Sequence, residues 1–376
     1  MNTTYGVLNN SSLIIDTDKL RENVRTILRS LPAGTKLIPV VKDDAYGMGM
    51  VGVARTLSAF PEIGCFAVAN VSEGVTLRRE GIRQDILIMG STLPFQYAPA
   101  VECDLTVTVS RLGMVPELAE VCKAQSKPLN VQIKLETGMH RIGVEPGEEL
   151  AALIGELKAA QEWVHVTGAF SHFAWPGNDE VCEAQYKKLL AGVEQLRAAG
   201  IPVPMCHISA SESSELFPQY ALDAVRIGRR LYMDHPKKPL GNIQEVVSWR
   251  SYLTNVKQRH AGDSLAYFGK YVLDKDTVVA TVGVGYGDGL NEKLVACHAP
   301  VLVGGKRCPL LACCMDQCFV DVTGVEDAKV GDEITFFGYD SDGSFLSSQK
   351  TANLIGDDEG CGLTSALMHR VARVFH

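Results

Sequence analysis

The feature that most constrains this chain is an alternation. Short apolar runs at residues 37–41, 65–69, 86–89, 105–109, 131–135, 164–170, 204–208 and 221–227 are separated, for the most part, by amphipathic segments such as 51–60, 72–80, 114–124, 148–160 and 180–199. A short run that is apolar at nearly every position suits a strand buried on both faces. Helical spacing between such runs supplies the crossover a parallel sheet needs. Eight such runs predict an α/β fold closed into a (β/α)8 TIM barrel. An open doubly wound sheet is the alternative. No G-x-G-x-x-G follows the first run, which weakens its dinucleotide-binding form. Ahead of the eight lies one more apolar run, 12–16. Asp16 or Thr17 can cap the helix expected over 18–30, where Leu20, Val24, Ile27 and Leu31 recur at helical spacing.

Beyond about residue 240 the texture changes. Helical periodicity largely stops, and β-like runs at 246–256, 277–284, 299–303, 318–322 and 333–337 are punctuated by glycine-rich turns. We therefore expect two domains: a barrel over 1–240 and a mostly β domain over 241–376, with 236–239 as linker. The net charge of −8 and the lack of a basic block argue against nucleic acid and anionic membranes as partners. No window approaches the roughly 20 apolar residues of a membrane span, and residues 1–12 do not read as a signal peptide. A cytoplasmic location is expected. The 11 scattered cysteines suit reduced thiols. Cys308, Cys313, Cys314 and Cys318 contain no C-x-x-C pair and read as small buried residues, with no metal expected.

A barrel carries its chemistry just after its strands, at one face. Lys42 ends the first run, 136–141 follow the fifth, Ser171 and His172 the sixth, Ser209 and Ser211 the seventh, and Arg226 and Gly228 close the eighth. Taken singly, Lys42 reads as a solvated loop lysine, His172 as a core histidine and Arg141 as a surface ion-pair partner. Together they suit an anionic, carbonyl-bearing cofactor or substrate: lysine for the carbonyl, arginine and backbone N–H groups for phosphate and carboxylate.

At this point the chain resembles the alanine racemase family, nearly end to end. The segments that carry the resemblance are Val40-Val41-Lys42-x-x-Ala45-Tyr46-Gly47, Lys134-x-x-Thr137-Gly138-Met139-x-Arg141, His172-Phe173-Ala174, and Val225-Arg226-x-Gly228 with Leu231-Tyr232. In the β domain they are Ala266-Tyr267, Gly285-Tyr286-Gly287-Asp288-Gly289, Cys314-Met315-Asp316-Gln317 and Arg370-Val371-Ala372-Arg373. The resemblance implies a racemase of small amino acids that uses pyridoxal 5'-phosphate and works as a homodimer with composite sites, supplying D-alanine for the cell wall. Lys42 would hold the cofactor as a Schiff base and act as one base. The partner subunit's Tyr267 would be the base on the opposite face, supported by His172 and Arg226. Two bases are wanted because the Cα proton leaves one face and returns to the other. Arg226 would face the pyridine nitrogen, where a cation disfavours ring protonation. Tyr46, Ser211, Gly228 and Arg229 would hold the phosphate. Arg141 and Met315 would take the substrate carboxylate, with Asp316 and Tyr286 completing the substrate side. Lys134 stands where many family members carry a carbamylated lysine.

The sequence departs from that pattern in places. Asp44 stands for the usual asparagine, Ala210 for an asparagine, Ala266 for a serine, Phe268 for a glycine, Arg229 for an apolar residue, Cys361 for a phosphate-touching tyrosine and Glu292 for an arginine. Losing a ring at residue 361 predicts a wider pocket, so serine or a broader set of amino acids is the alternative to alanine. Other readings are a non-catalytic PLP-binding barrel protein, which the β domain with Tyr267 disfavours, and a PLP decarboxylase, disfavoured by the Met315 and Tyr267 segments.

Overall fold

A computed structural model describes residues 9–234, 241, 243–358 and 360–376. It divides into two compact units. One comprises Val24–Ala45 and Met50–Leu231, the other Met1–Asn23, Tyr46–Gly49 and Tyr232–His376. The expected linker at 236–239 lies outside the described residues.

The strands run in chain order from β1 (Ser11–Ile15) to β2 (Lys36–Pro39), β3 (Cys65–Val68), β4 (Asp85–Ile88), β5 (Thr106–Val109), β6 (Leu129–Lys134), β7 (Val164–Phe170), β8 (Cys206–Ala210) and β9 (Ala224–Ile227). Strands β2 to β9 form the barrel, and all eight predicted runs are there. Neighbours pair in parallel in the order β2-β9-β8-β7-β6-β5-β4-β3. A parallel bridge from Val40 to Ala67 closes β3 back onto the chain leaving β2. Helices α1 (Thr17–Ser30), α2 (Met50–Leu57), α3 (Val71–Arg79), α4 (Tyr97–Glu102), α5 (Met114–Gln125), α6 (Glu148–Ala159) and α7 (Asp179–Ala198) form in the intervals. The ends of α3 follow from sequence. Asn70 Oδ1 accepts the Glu73 N–H at 3.0 Å, while Glu73 Oε2 accepts the Asn70 N–H at 3.2 Å, a reciprocal capping box. Barrel strands such as β3, β5 and β9 are buried at every position. Each fully buried Val, Ile or Leu contributes about 1.5–3 kcal/mol, so this layer is the rigid floor beneath the strand ends.

The C-terminal unit is a sheet of strands β10 (Val247–Arg259), β13 (Thr277–Val282), β14 (Pro300–Val303), β15 (Lys306–Cys313), β16 (Cys318–Asp321), β17 (Glu333–Tyr339), β18 (Phe345–Leu346) and β19 (Ala372–Phe375), with a separate hairpin of β11 (Ser264–Leu265) and β12 (Tyr271–Val272). Long β10 pairs antiparallel with β1, β13 and β17. Buried Trp249 stacks on Phe336 at 4.4 Å and donates to Ser11 Oγ at 2.7 Å.

Two differences from the sequence reading stand out. The run at 12–16, placed within the 1–240 domain, becomes β1 and pairs with β10 and β19 of the C-terminal sheet. Its burial alternates, with Ser11, Leu13 and Ile15 inward, which is the signature of a half-covered sheet. Strand β15 was missed because Pro309 sits inside it, and proline usually marks the absence of a strand interior.

Candidate active site

Lys42 follows directly on the barrel wall, where the Val41 N–H donates to Ala67 O at 2.9 Å. The chain then does something no motif announced. Asp43 (φ 55, ψ 52), Asp44 (φ 49, ψ 43) and Ala45 (φ 55, ψ 49) are left-handed helical, and Tyr46 continues at φ 58. None is glycine. Each such residue costs roughly 1–2 kcal/mol relative to the right-handed form, so the turn persists only because its surroundings hold it. The Asp43 N–H donates to Glu73 Oε1 at 2.7 Å, and the Ala45 N–H to Val41 O at 2.9 Å. Asp44 Oδ1 accepts the Met50 N–H at 2.7 Å, at the start of α2. This explains the departure at residue 44: the position needs a short side-chain oxygen that tolerates positive φ, which aspartate and asparagine share. Gly47 must be glycine, since a Cβ there would lie 1.9 Å from Thr364 O.

The most buried part of the site is a chain of hydrogen bonds across the barrel. Arg226 Nη1 donates to His207 Nδ1 at 2.5 Å. Its Nη2 serves His172 Nδ1 at 3.0 Å, Ser171 O at 2.8 Å and Ile208 O at 2.9 Å. A guanidinium only donates, so both imidazoles accept through Nδ1 and carry their proton on Nε2. His207 Nε2 accordingly donates to Gln132 Oε1, at 2.8 Å. Burial first, and Arg226 second, hold both histidines well below the ordinary imidazole range. Arg141, Lys134 and Lys42 add to the effect on His172, in that order. Burial and Arg141 press the Arg226 guanidinium down to about 9, still charged at neutral pH. The network is therefore one fixed cation between two neutral imidazoles. Gln132 and His207 were not expected as members: both lie within strands, where side-chain direction depends on barrel packing.

Arg141 is exposed, and its loop is held by groups beneath it. Glu136 Oε1 accepts the Gly138 N–H at 2.5 Å and the Met139 N–H at 2.8 Å. Gln185 of α7 donates to Thr137 Oγ1 at 3.2 Å and to His172 O at 3.1 Å, tying together the loops after β6 and β7. Lys134 is 2% exposed. Its Nζ donates to Leu135 O at 2.8 Å and lies 3.4 Å from Ser171 Oγ. Burial lowers this amine to about 8, against the opposing pull of Glu136.

Ser211 immediately follows β8, and its Oγ accepts the Gly228 N–H at 3.2 Å. Gly228 and Arg229 follow β9, both buried, and neighbouring Arg230 is ion-paired with Glu215. A hydroxyl and two backbone N–H positions make a donor set suited to a phosphate, while the lysine just beyond β2 suits a carbonyl. These residues fit pyridoxal phosphate. Ser209, grouped with Ser211 as following the strand, instead lies inside β8 and donates to Tyr220 O at 3.1 Å, a packing role.

The remaining expected residues belong to the other unit. Tyr46 sits with its ring 5.9 Å from that of Tyr232. Tyr267, 68% exposed, stands on the turn between β11 and β12 beside Phe268, 92% exposed. Ala266 (φ 61, ψ −164) and Phe268 (φ 64, ψ 16) flank it in conformations that favour glycine. Tyr286 and Met315 are also exposed. Their loops are stitched together by Tyr286 N–H to Cys314 O at 3.1 Å and Gly287 N–H to Met315 O at 2.7 Å. Asp316 shares the Met315 turn, and Glu292 begins the short helix Glu292–Ala296. Cys361 is half-buried, and its carbonyl accepts the Ser365 N–H at 3.0 Å. Cys308 and Cys318 are buried free thiols.

With this geometry in place, comparison with known proteins is informative. The chain matches the models for the alanine racemase N-terminal domain over residues 15–236 and C-terminal domain over residues 246–375. An alanine racemase of Desulforamulus reducens is 32% identical over 351 residues, 91% of this chain and 92% of that protein. The structure of alanine racemase from Clostridium difficile 630 superposes with a TM-score of 0.90 at 29% identity, covering 98% of this chain and 96% of the other. That of the Bacillus anthracis alanine racemase with bound L-Ala-P gives 0.89 at 27% identity, with 98% and 95% covered.

Proposed function

Since the chain belongs to the alanine racemase family, we propose that it interconverts L- and D-alanine with pyridoxal 5'-phosphate. The observation that carries this reading is the buried chain in which Arg226 bonds both His172 and His207, with Lys134 beside Ser171, at the end of the barrel where such folds place chemistry. Bound there, the cofactor supplies the electron sink that makes the substrate's Cα–H acidic. Ser211, Tyr46 and the N–H groups of Gly228 and Arg229 hold its phosphate. Lys42 would hold it through its amine and would take or return the proton on one face. Tyr267 of a second copy does so on the other, which its exposure in the single chain supports.

The hydrogen-bond chain gives His172 a defined task. Arg226 occupies its Nδ1, so Nε2–H is the group it presents to a phenolate. Because the imidazole is held neutral, it donates a hydrogen bond without adding a second charge beside Arg226. Arg141 and the Met315 N–H bind the substrate carboxylate, with Asp316 and Tyr286 on the pocket wall. Lys134, lowered to about 8, has an appreciable neutral fraction at slightly alkaline pH. Only the neutral amine adds carbon dioxide, and the carbamate formed would return a negative charge to a site crowded with cations. No helix among the described residues is long and apolar enough to cross a membrane.

A second reading concerns breadth. Cys361 replaces a tyrosine ring, and one such change discriminates by about 1–3 kcal/mol. The experiment that tests both is a substrate panel. Racemisation of alanine should depend on added pyridoxal phosphate, with serine within about 200-fold in kcat/KM. Loss of serine activity in Cys361→Tyr supports the wide pocket. A parent preference for alanine beyond about 10³-fold ends it, and no racemisation of any amino acid ends the main reading.

A further inference from the structure

Glu73 does more than cap a helix. Its Oε2 accepts the N–H groups of Ala69 at 2.7 Å and Asn70 at 3.2 Å, which starts α3. A capping box needs no more from this side chain than that. Yet Oε1 reaches 30 residues back along the chain to accept the Asp43 N–H at 2.7 Å. Asp43 is the first left-handed residue after Lys42. The lysine is thus bracketed: the Val41 N–H before it is bound to Ala67 O, and the Asp43 N–H after it is bound to Glu73. Both anchors belong to the β3–α3 segment. The Asp43 N–H lies in the peptide plane that joins Lys42 to Asp43, so its bond to Glu73 fixes that plane, and with it both the backbone from which the lysine side chain leaves and the start of the left-handed turn.

We propose that Glu73 is a positioning residue of the active site, holding the left-handed turn that fixes the direction of the Lys42 amine. This rests on the reading of Lys42 as the cofactor-bearing lysine. A carboxylate is required because both oxygens accept from backbone N–H groups on two different segments. An amide offers one acceptor and would set an NH2 group against one of those donors.

The test separates positioning from capping. Glu73→Ala and Glu73→Gln are compared with Asn70→Ala, which removes the other half of the capping box and leaves the Asp43 contact in place. Each apoprotein receives pyridoxal phosphate. The readouts are the rate at which the visible band of the lysine-bound cofactor appears, the mass added to Lys42 after borohydride reduction, the melting temperature, and kcat and KM for alanine. A group displaced by about 1 Å loses on the order of 10²-fold. We expect Glu73→Ala to slow band formation and lower kcat by about that factor, with KM within about threefold. Asn70→Ala should melt earlier but load and turn over as the parent does. Adding Asp43→Gly to Glu73→Ala should restore part of both rates, because glycine takes the left-handed form without steric cost. Where Glu73→Ala fails to fold, Glu73→Gln carries the same comparison. Equal loading and kcat in the Glu73 and Asn70 variants overturns the proposal alone. A parent that forms no visible band overturns the cofactor reading, and this proposal with it.

Discussion

At the scale of single residues, the site is governed by where protons are kept. Arg226 spends its donors on two imidazoles and two carbonyls, so it cannot be exchanged for a point charge. Lysine lacks the fork, and Arg226→Lys should leave at least one of these acceptors unpaired, at about 1–3 kcal/mol of stability. Urea unfolding checks this. The buried histidines also set a pH dependence. Both are held below the ordinary imidazole range when folded, while the unfolded chain binds protons near pH 6.5. Below that pH the unfolded state holds more protons, so stability is full above about pH 6.5 and falls as the solution is acidified. Each histidine adds a slope of up to about 1.4 kcal/mol per pH unit. His207→Gln should remove one histidine's share between about pH 6.5 and 5, read from urea midpoints across that range.

At the scale of elements, the barrel strands are ordinary and the turns are not. The left-handed turn after Lys42 and the β11–β12 turn around Tyr267 both keep bulky or branched side chains at positive φ. In each case the strained backbone carries a residue assigned to proton transfer. Phe268 replaces the usual glycine at φ 64, with 92% of its surface exposed. Phe268→Gly should therefore relieve about 1 kcal/mol of backbone strain. At low protein concentration it should raise the melting temperature by several degrees at most, since the change is small beside a domain's unfolding entropy. Asp44→Asn should leave activity within about twofold, because the Met50 N–H keeps its acceptor. Asp44→Ala should cost about 1 kcal/mol of stability through the lost cap.

At the scale of the molecule, the groups proposed to act in the site divide between two compact units. The barrel carries Lys42, His172, Arg141 and Arg226. The C-terminal sheet carries exposed Tyr267, Tyr286 and Met315. If each site draws on two copies, Lys42→Ala and Tyr267→Phe homodimers should both be inactive. With random pairing and independent sites, mixing and re-associating them should restore activity to about a quarter of parent, since half the dimers are mixed and each mixed dimer has one intact site. Activity measured after co-refolding decides it, and no recovery contradicts a composite site.

The sequence alone determined the barrel, because burial on both faces leaves a readable pattern: eight short apolar runs with helices between them. It also determined which residues end those strands, and so Lys42, His172, Ser211 and Arg226 could be named. Tertiary structure decided what periodicity does not encode. β1 joined the C-terminal sheet because its partners lie more than 200 residues away. Gln132 and His207 entered the network because barrel closure brings Gln132 against His207 and His207 against Arg226. The left-handed form of Asp43 to Tyr46, ahead of Gly47, was invisible, since none of those four residues is glycine. It is imposed by Glu73 and Val41 through bonds that exist only once β2 and β3 lie side by side.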